Sequence, residues 1–349
     1  MIKTEYYKDL TKMNTFGMKV KARCFIEYDS VADLVDVEFE ELARPMLHIG
    51  GGSNLLFTDD FKGTVLHSKI NFIEILEDAQ EETLVSVGAG VVFDDFCDWA
   101  AKEGLWGVEN LSYIPGEVGA SAVQNIGAYG VEVKDVIRTV YCYDTVEEEF
   151  VKFDVSECEY GYRDSVFKNP EIKGRYIVTH VVFALTRTPQ PKLEYGHLDA
   201  AVKDAQSAKD AALTPALIRK VIIKIRKEKL PEPSVTGSAG SFFKNPVISA
   251  EHFAKIQAAA KAEQGADCKV PHYDLPDGTV KVPAAWMIEQ CGWKGRRSGG
   301  AAVWDKQPLV IVNYTGDAYP EEIIGLERRI IDSVKNKFGV ELHPEVDHI

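Results

Sequence analysis

The sequence predicts an α+β protein of two or three domains, and three observations lead there. The chain has 349 residues, more than one ordinary hydrophobic core holds. Short strand-like runs alternate with amphipathic helical patterns along it. A proline-flanked stretch, LPEPSVTGSAG at 230–240, separates a strong helix from a smaller α+β segment and reads as a domain boundary.

The elements follow in order. The first 70 residues read as short strands and one helix. Residues 44–49 form a compact apolar strand candidate that runs into Gly50, Gly51 and Gly52. A second strand at 83–87 runs into Gly88-Ala89-Gly90. Phe93, Phe96, Cys97 and Ala100 fall at i, i+3, i+4 and i+7, the spacing of one helix face, and the helix stops near Gly104. Residues 114–130, IPGEVGASAVQNIGAYG, read as a long loop of small residues. Strand-like runs follow at 136–143 and 176–185. Thr214-Pro215 is an N-cap followed by a first-turn proline, opening a helix with Leu217, Ile218, Val221, Ile222 and Ile225 on one face. That helix ends before Pro231. Beyond the boundary a helix is expected near 251–262. A last one carries Ile323, Leu326, Ile330, Ile331 and Val334, with Gly339 as its stop. The chain closes on VELHPEV at 340–346.

Composition narrows the function. Apolar residues make up 45% and charged residues 27%, the profile of a globular protein. The net charge of -14 argues against a nucleic-acid or anionic-membrane binder, since phosphate contacts need an excess of Lys and Arg. Cys24, Cys97, Cys142, Cys158, Cys268 and Cys291 show no CxxC or zinc-ribbon spacing. They read as buried thiols of a reducing cytoplasm, and no metal site is expected. The charged N-terminus has no apolar leader pattern, and no run of about 18 apolar residues suggests a membrane span.

Several constellations could carry chemistry. Consecutive glycines after a strand, Gly50-Gly51-Gly52 with Ser53 and Asn54, let backbone N–H groups approach a diphosphate; a tight turn is the plain alternative. The loop is not a Rossmann fingerprint, because Leu55 stands where the third glycine would fall. The 114–130 segment offers Pro115, Gly116, Gly119, Ala120, Ser121 and Gly127, small enough to lie against something flat or charged. Gln124 and Asn125 supply amides suited to a flavin edge, and a mobile surface loop is the alternative. Arg163 sits among Tyr160, Tyr162 and polar residues. It can hold a carboxylate bidentately, although an exposed turn arginine is commoner. Ser241, between small residues and two phenylalanines, could present a hydroxyl in a dry pocket or simply enter a strand. It is not a hydrolase elbow, since Phe243 takes the final glycine position. Glu345, so near the C-terminus, would ordinarily be solvated.

Taken together, Asn14-Thr15-Phe16-Gly17, GGGSNLLF, IPGEVGASAVQNIGAYG, YGYRDSVFK, KLPEP, GSAGSFFKNP, GGAAV at 299–303 and HPEV resemble the UDP-N-acetylenolpyruvoylglucosamine reductase family over nearly the whole chain. Each motif alone is modest; their order and spacing are specific. The resemblance implies a two-subdomain FAD-binding fold of the vanillyl-alcohol-oxidase type plus a C-terminal α+β substrate-binding domain. The implied division is 1–70, 71–230 with 339–349 returning to it, and 231–338. The segment around Tyr195 looks like that of the type I subgroup, where a tyrosine closes over the substrate diphosphate.

The resemblance also implies roles. Ser241 matches the serine that protonates the intermediate, and Arg163 and Glu345 match the pair that polarises the enolpyruvyl carboxylate. Tyr162, Tyr195, Lys229, Asn245, Tyr273, Lys294 and Gln307 fall at positions resembling substrate contacts. FAD would be held non-covalently, with NADPH as hydride donor and a UDP-sugar as substrate, in a cytoplasmic monomer. Two positions depart from relatives: Asp347 stands where arginine commonly follows PEV, and Trp304 where some have histidine. An alcohol oxidase of the same fold would share the glycine loops but need neither Ser241 nor Lys229. A non-catalytic UDP-sugar binder would need neither glycine loop.

Overall fold

A computed structural model of the chain describes residues 1–208 and 211–349. The described residues form two compact units. The first comprises Met1–Leu10, Lys21–Gly52 and Asp60–Lys227, and the second Thr11–Val20, Ser53–Asp59 and Glu228–Ile349. The break between the units falls at Lys227/Glu228, in the last turn of the helix Pro215–Lys229 and before the proline-flanked stretch at 230–240. The small segments differ from the expected division as well. Thr11–Val20 and Ser53–Asp59 join the C-terminal unit, and so does 339–349, which was expected to return to 71–230. The reason is backbone pairing. Asp347–His348 lies parallel to Leu55–Leu56, and Ile349 O accepts from both Thr58 N and Thr58 Oγ1, each at 2.8 Å.

The first unit is α+β and holds two larger sheets besides the two-stranded pairing of Gly127–Ala128 with Val131–Glu132. In one, Lys3–Asp9 pairs antiparallel with Lys21–Tyr28, which runs parallel to Phe61–Ser68 and on to Met46–Ile49. In the other, five antiparallel strands run in the order Glu149–Asp154, Ile137–Asp144, Tyr176–Leu185, Thr83–Gly88 and Ile73–Asp78. The alternating and continuous Val/Ile/Phe runs of these strands meet the helix Phe93–Lys102 in one core. There Phe93, Phe96, Cys97 and Ala100 are all buried, as their spacing predicts. Burying a side chain such as Phe96 contributes roughly 2–3 kcal/mol. The helix Pro215–Lys229 begins as expected, with Thr214 Oγ1 accepting from Leu217 N at 3.2 Å. It buries Ile218, Val221 and Ile222 against Trp106, Leu198 and Val202, and Arg219 bonds Asp94 and Asp98 of Phe93–Lys102.

The 114–130 segment is not a loop throughout. It contains a helix, Val118–Gln124, that begins one residue after Glu117. Its GASA core is helix-permissive but shows no apolar contrast, so periodicity alone conceals it. A Cβ at Gly119 would stand 2.9 Å from Ala89 Cβ, so glycine is what lets this helix close on its neighbour.

The second unit carries a four-stranded antiparallel sheet in the order Gly237–Ser241, Val310–Asn313, Ala301–Val303 and Arg297–Ser298. It also has a small three-stranded sheet and the helices Ala250–Gln264, Ala284–Gln290 and Pro320–Phe338. The last helix buries Ile323, Leu326, Ile330 and Val334, leaves Ile331 half-buried, and ends at Gly339 with φ +67°. Among the described residues no helix is long and apolar enough to cross a membrane, and no group of three or more His, Cys, Asp or Glu is placed to hold a metal. All six cysteines are free thiols.

Candidate active site

In the first unit the two glycine segments meet. A Cβ on Gly51 would lie 3.4 Å from Gly116 Cα, and one on Gly50 would lie 3.1 Å from Ala120 Cβ. A side chain on Gly50 would crowd Ala120, whereas one on Gly51 would only touch Gly116, so the two segments pack closely along their backbones. The remaining members of the first loop, Ser53 and Asn54, fall in the second unit. Asn54 Nδ2 donates to Glu345 O at 3.1 Å, and Asp347 N donates to Asn54 O at 3.0 Å. Ser121 is buried and returns its hydroxyl to Val118 O at 2.7 Å. Pro115 is exposed.

The two amides singled out in this region differ. Asn125, at φ +48°, is fully enclosed. Its Nδ2 donates to Gly161 O at 2.7 Å, and its Oδ1 accepts from Lys134 N at 3.3 Å. It fixes the backbone of the segment bearing Arg163. Gln124 accepts from Lys168 Nζ at 2.8 Å through Oε1, which sets the amide's orientation, while its buried Nε2 has no hydrogen-bond partner among the described residues. A buried N–H without an acceptor is costly, and an acceptor atom on a flavin edge would satisfy it. Of these features, the buried Gln124 Nε2 is the one that would suit FAD.

Arg163 is held rigidly, with φ +56°. Its guanidinium donates to Gly127 O at 2.6 Å and to Asn125 O at 3.3 Å, stands 4.0 Å from Glu132 Oε1, and lies over the Tyr162 ring at 5.2 Å. A Cβ at Gly127 would collide with it at 2.8 Å. The charge is therefore fixed in place by the backbone around it. Tyr195 is exposed and packs edge-on against Tyr129 at 6.0 Å between ring centroids.

In the second unit the backbone brings together Ser241 and Glu345, which are 104 positions apart in sequence (345 − 241). Glu345 N donates to Phe242 O at 2.8 Å, Phe243 bridges Pro344, and Lys244 N donates to His343 O at 2.9 Å. Phe242 and Phe243 are buried, and Phe242 packs edge-on against Phe16. This anchors the ladder while Ser241 itself stays exposed at the strand end. The motif Asn14-Thr15-Phe16-Gly17 supports the same strand. Ser238 N donates to Thr15 O at 2.9 Å, and a Cβ on Gly237 would stand 2.2 Å from Phe16 O.

The expected substrate-contact residues of this unit have diverse settings. Asn245 Oδ1 accepts from Ala284 N at 2.9 Å, capping a helix. Lys294 is exposed and pairs with Glu289 at 2.7 Å. Tyr273 is exposed beside the Lys281 ammonium, and Gln307 Oε1 accepts from Leu309 N at 3.3 Å. Lys229 is exposed, and its carbonyl accepts from Trp304 Nε1 at 3.1 Å. The departing residue Trp304 thus secures the segment bearing Lys229.

Sequence reasoning missed the ionisable groups near the glycine segments: buried Tyr28, His67 and Glu117 and half-buried Glu27 and His48. Their pairings span 20 to 50 positions, and no local spacing announces them.

Comparisons with known proteins agree with this geometry. Residues 22–150 match an FAD binding domain, and residues 232–349 match the C-terminal domain of UDP-N-acetylenolpyruvoylglucosamine reductase. The chain is 49% identical to the UDP-N-acetylenolpyruvoylglucosamine reductase of Bacteroides fragilis over 97% of its length and 98% of that protein's. It is 44% identical to that of Porphyromonas gingivalis over 97% of each chain. The crystal structure of the Thermus caldophilus reductase superposes with a TM-score of 0.67 at 22% identity, covering 100% of this chain and 98% of that one. This shows that the expected fold class is the one present. An FAD-binding portion followed by this C-terminal domain, at such identity over nearly the full length, means that the chain belongs to the UDP-N-acetylenolpyruvoylglucosamine reductase family of FAD-dependent oxidoreductases.

Proposed function

We propose that the protein reduces the enolpyruvyl group of UDP-N-acetylglucosamine enolpyruvate to the lactyl ether of UDP-N-acetylmuramate, for peptidoglycan precursor synthesis. NADPH is the hydride donor and FAD is held non-covalently. The relatives' shared name describes this reduction, and the chain's likeness to them covers both matched domains. Within the chain, the observation that supports it best is the backbone pairing that brings Ser241 beside Glu345.

Bound FAD supplies the hydride. An enol ether accepts hydride poorly unless its carboxylate can take up the charge that develops. Arg163 is a fixed cation for that purpose, needing no reorganisation when the charge appears. Glu345 completes the polarisation of the same carboxylate. Ser241 delivers the proton to C2. A serine hydroxyl is a weak acid, so Lys229 and Asn245 assist it. Tyr195 covers the substrate diphosphate, and Tyr162, Tyr273, Lys294 and Gln307 add contacts. Gly50, Gly51, Gly52, Gly116, Gly119 and Gln124 serve the cofactor, with Asn125 positioning the Arg163 segment. NADPH and the UDP-sugar occupy the flavin site in turn, and the enzyme works as a cytoplasmic monomer.

The test is direct. The purified protein should be yellow, and acid precipitation should leave a colourless pellet under a yellow supernatant. NADPH oxidation should be stimulated by the enolpyruvyl sugar and not by simple alcohols. NADPH consumption that ignores the sugar would sink the assignment.

A further inference from the structure

The strands of the first unit place ionisable groups near the glycine segments. His67 Nε2 lies 3.0 Å from Glu117 Oε1, and its Nδ1 lies 3.2 Å from Glu27 Oε1. His67 is 4% exposed and Glu117 9%. A neutral imidazole has one N–H, so it would turn a lone pair toward one of these carboxylates; an imidazolium donates to both. Glu117 Oε2 reaches 3.3 Å from where a Cβ on Gly50 would stand. Glu117 also occupies the N-cap of Val118–Gln124. Its side chain makes no cap bond there and turns to His67 instead. A carboxylate is thus held against the loop read above as accepting a diphosphate.

Burial pushes His48 down to about 3 and raises Tyr28, so both are neutral; the Tyr28 hydroxyl and His48 Nε2 are 2.6 Å apart. Burial works against the charge on His67, but its bonds to Glu117 and Glu27 outweigh that and raise it above the ordinary value, with Lys69 acting in the opposite direction.

We propose that His67 and Glu117 are a positioning pair for the cofactor: the imidazolium clamps Glu117 beneath Gly50 and cancels its charge, so the loop holds the FAD diphosphate most tightly while His67 carries its proton. This rests on the reading that residues 50–52 and Gly116 cradle the diphosphate. Raising the pH strips the proton from His67 and leaves Glu27 and Glu117 as bare carboxylates facing an anionic ligand.

The holoenzyme is diluted at pH values from 6 to 9, and FAD release is read as the rise in free-flavin fluorescence, with circular dichroism confirming the fold. The native dissociation constant should rise about tenfold across the His67 titration, the change that corresponds to one unit of coupling. His67→Gln should bind FAD weakly at every pH with a flat profile. Glu117→Gln should bind well with a flat profile, and the double variant should recover affinity lost in His67→Gln. A native slope in His67→Gln, or no recovery in the double variant, overturns the proposal. Gly51→Val separates the two levels. If it binds FAD normally, the cradle reading fails and takes this proposal with it. If it loses FAD while both polar variants keep the native profile, only the positioning pair is wrong.

Discussion

Replacing Ser241 with alanine tests the proposed proton delivery at its central atom. Ser241 ends the strand Gly237–Ser241 and is exposed, while Phe242 and Phe243 beside it are buried and anchor the backbone. Loss of the hydroxyl should change folding stability by no more than about 0.5 kcal/mol, as for other exposed substitutions. A positioned proton donor contributes roughly 10²–10⁴-fold to a rate, which is about 2.7–5.4 kcal/mol of barrier. The two effects differ enough to be told apart. The donor acts after hydride has reached the sugar, so NADPH should reduce the flavin at close to the native rate. Reoxidation by the UDP-sugar should slow by the full factor. Stopped-flow absorbance of the flavin follows the two half-reactions separately, and a thermal melt checks the fold. If both half-reactions slow together, Ser241 is structural. If neither slows, another group or a water delivers the proton, and the mechanism is wrong.

Three further outcomes are expected. Tyr195→Ala should raise KM for the UDP-sugar while leaving flavin reduction by NADPH nearly unchanged, since this ring is exposed and packs edge-on against Tyr129; equal damage to both half-reactions would point to folding. Glu345→Gln should lower sugar reduction without releasing FAD. It is a cleaner probe than truncation, because removing 345–349 would also remove the pairing with Leu55–Leu56; normal turnover by the variant would exclude Glu345 from the reaction. Stability should fall as pH drops below the ordinary histidine value of about 6.5 toward about 3, because His48 is neutral in the fold and takes a proton more readily once unfolded. For this one proton the slope is about 1.4 kcal/mol per pH unit. Melting curves of the native protein and His48→Phe across this window should diverge from native toward a flatter dependence, and parallel curves would contradict the assignment.

What the sequence discloses depends on the range over which a signal is written. Phe93, Phe96, Cys97 and Ala100 announce a helix because 3.6-residue periodicity is local, and all four are buried where that spacing puts them. Thr214 likewise announces the start of Pro215–Lys229 through a side-chain cap within one turn. The helix Val118–Gln124 escaped because its residues are nearly all small, so no apolar stripe contrasts with a polar one. Gln124 and Asn125 read alike in sequence, yet the Gln124 Nε2 ends buried with no partner among the described residues and Asn125 as a bracket for Gly161. That difference is decided by Lys168, Lys134 and Glu132, through tertiary contacts no window contains.

The long-range pairings also explain why modest motifs from distant parts of the chain occur together. Glu345 would be a solvated carboxylate if the C-terminus were free. Instead Ile349 is bonded by Thr58, Asp347 pairs beside Leu55, and Asn54 reaches back to the Glu345 carbonyl. The residues after the glycine loop therefore do more than follow it: they hold the segment that carries Glu345 against Phe242. The N-terminal Asn14-Thr15-Phe16-Gly17 has a parallel task. Asn14 closes on Met18 through both ends of its amide, at 2.9 and 3.1 Å, and this shapes the turn whose Phe16 carbonyl leaves room at Gly237 for hydrogen alone. A substitution at Gly237 would push Phe16 from Phe242 and with it disturb the strand end at Ser241. Three segments that share no local signal are thus required by one short ladder, and a change in any of them is felt at the proposed proton donor.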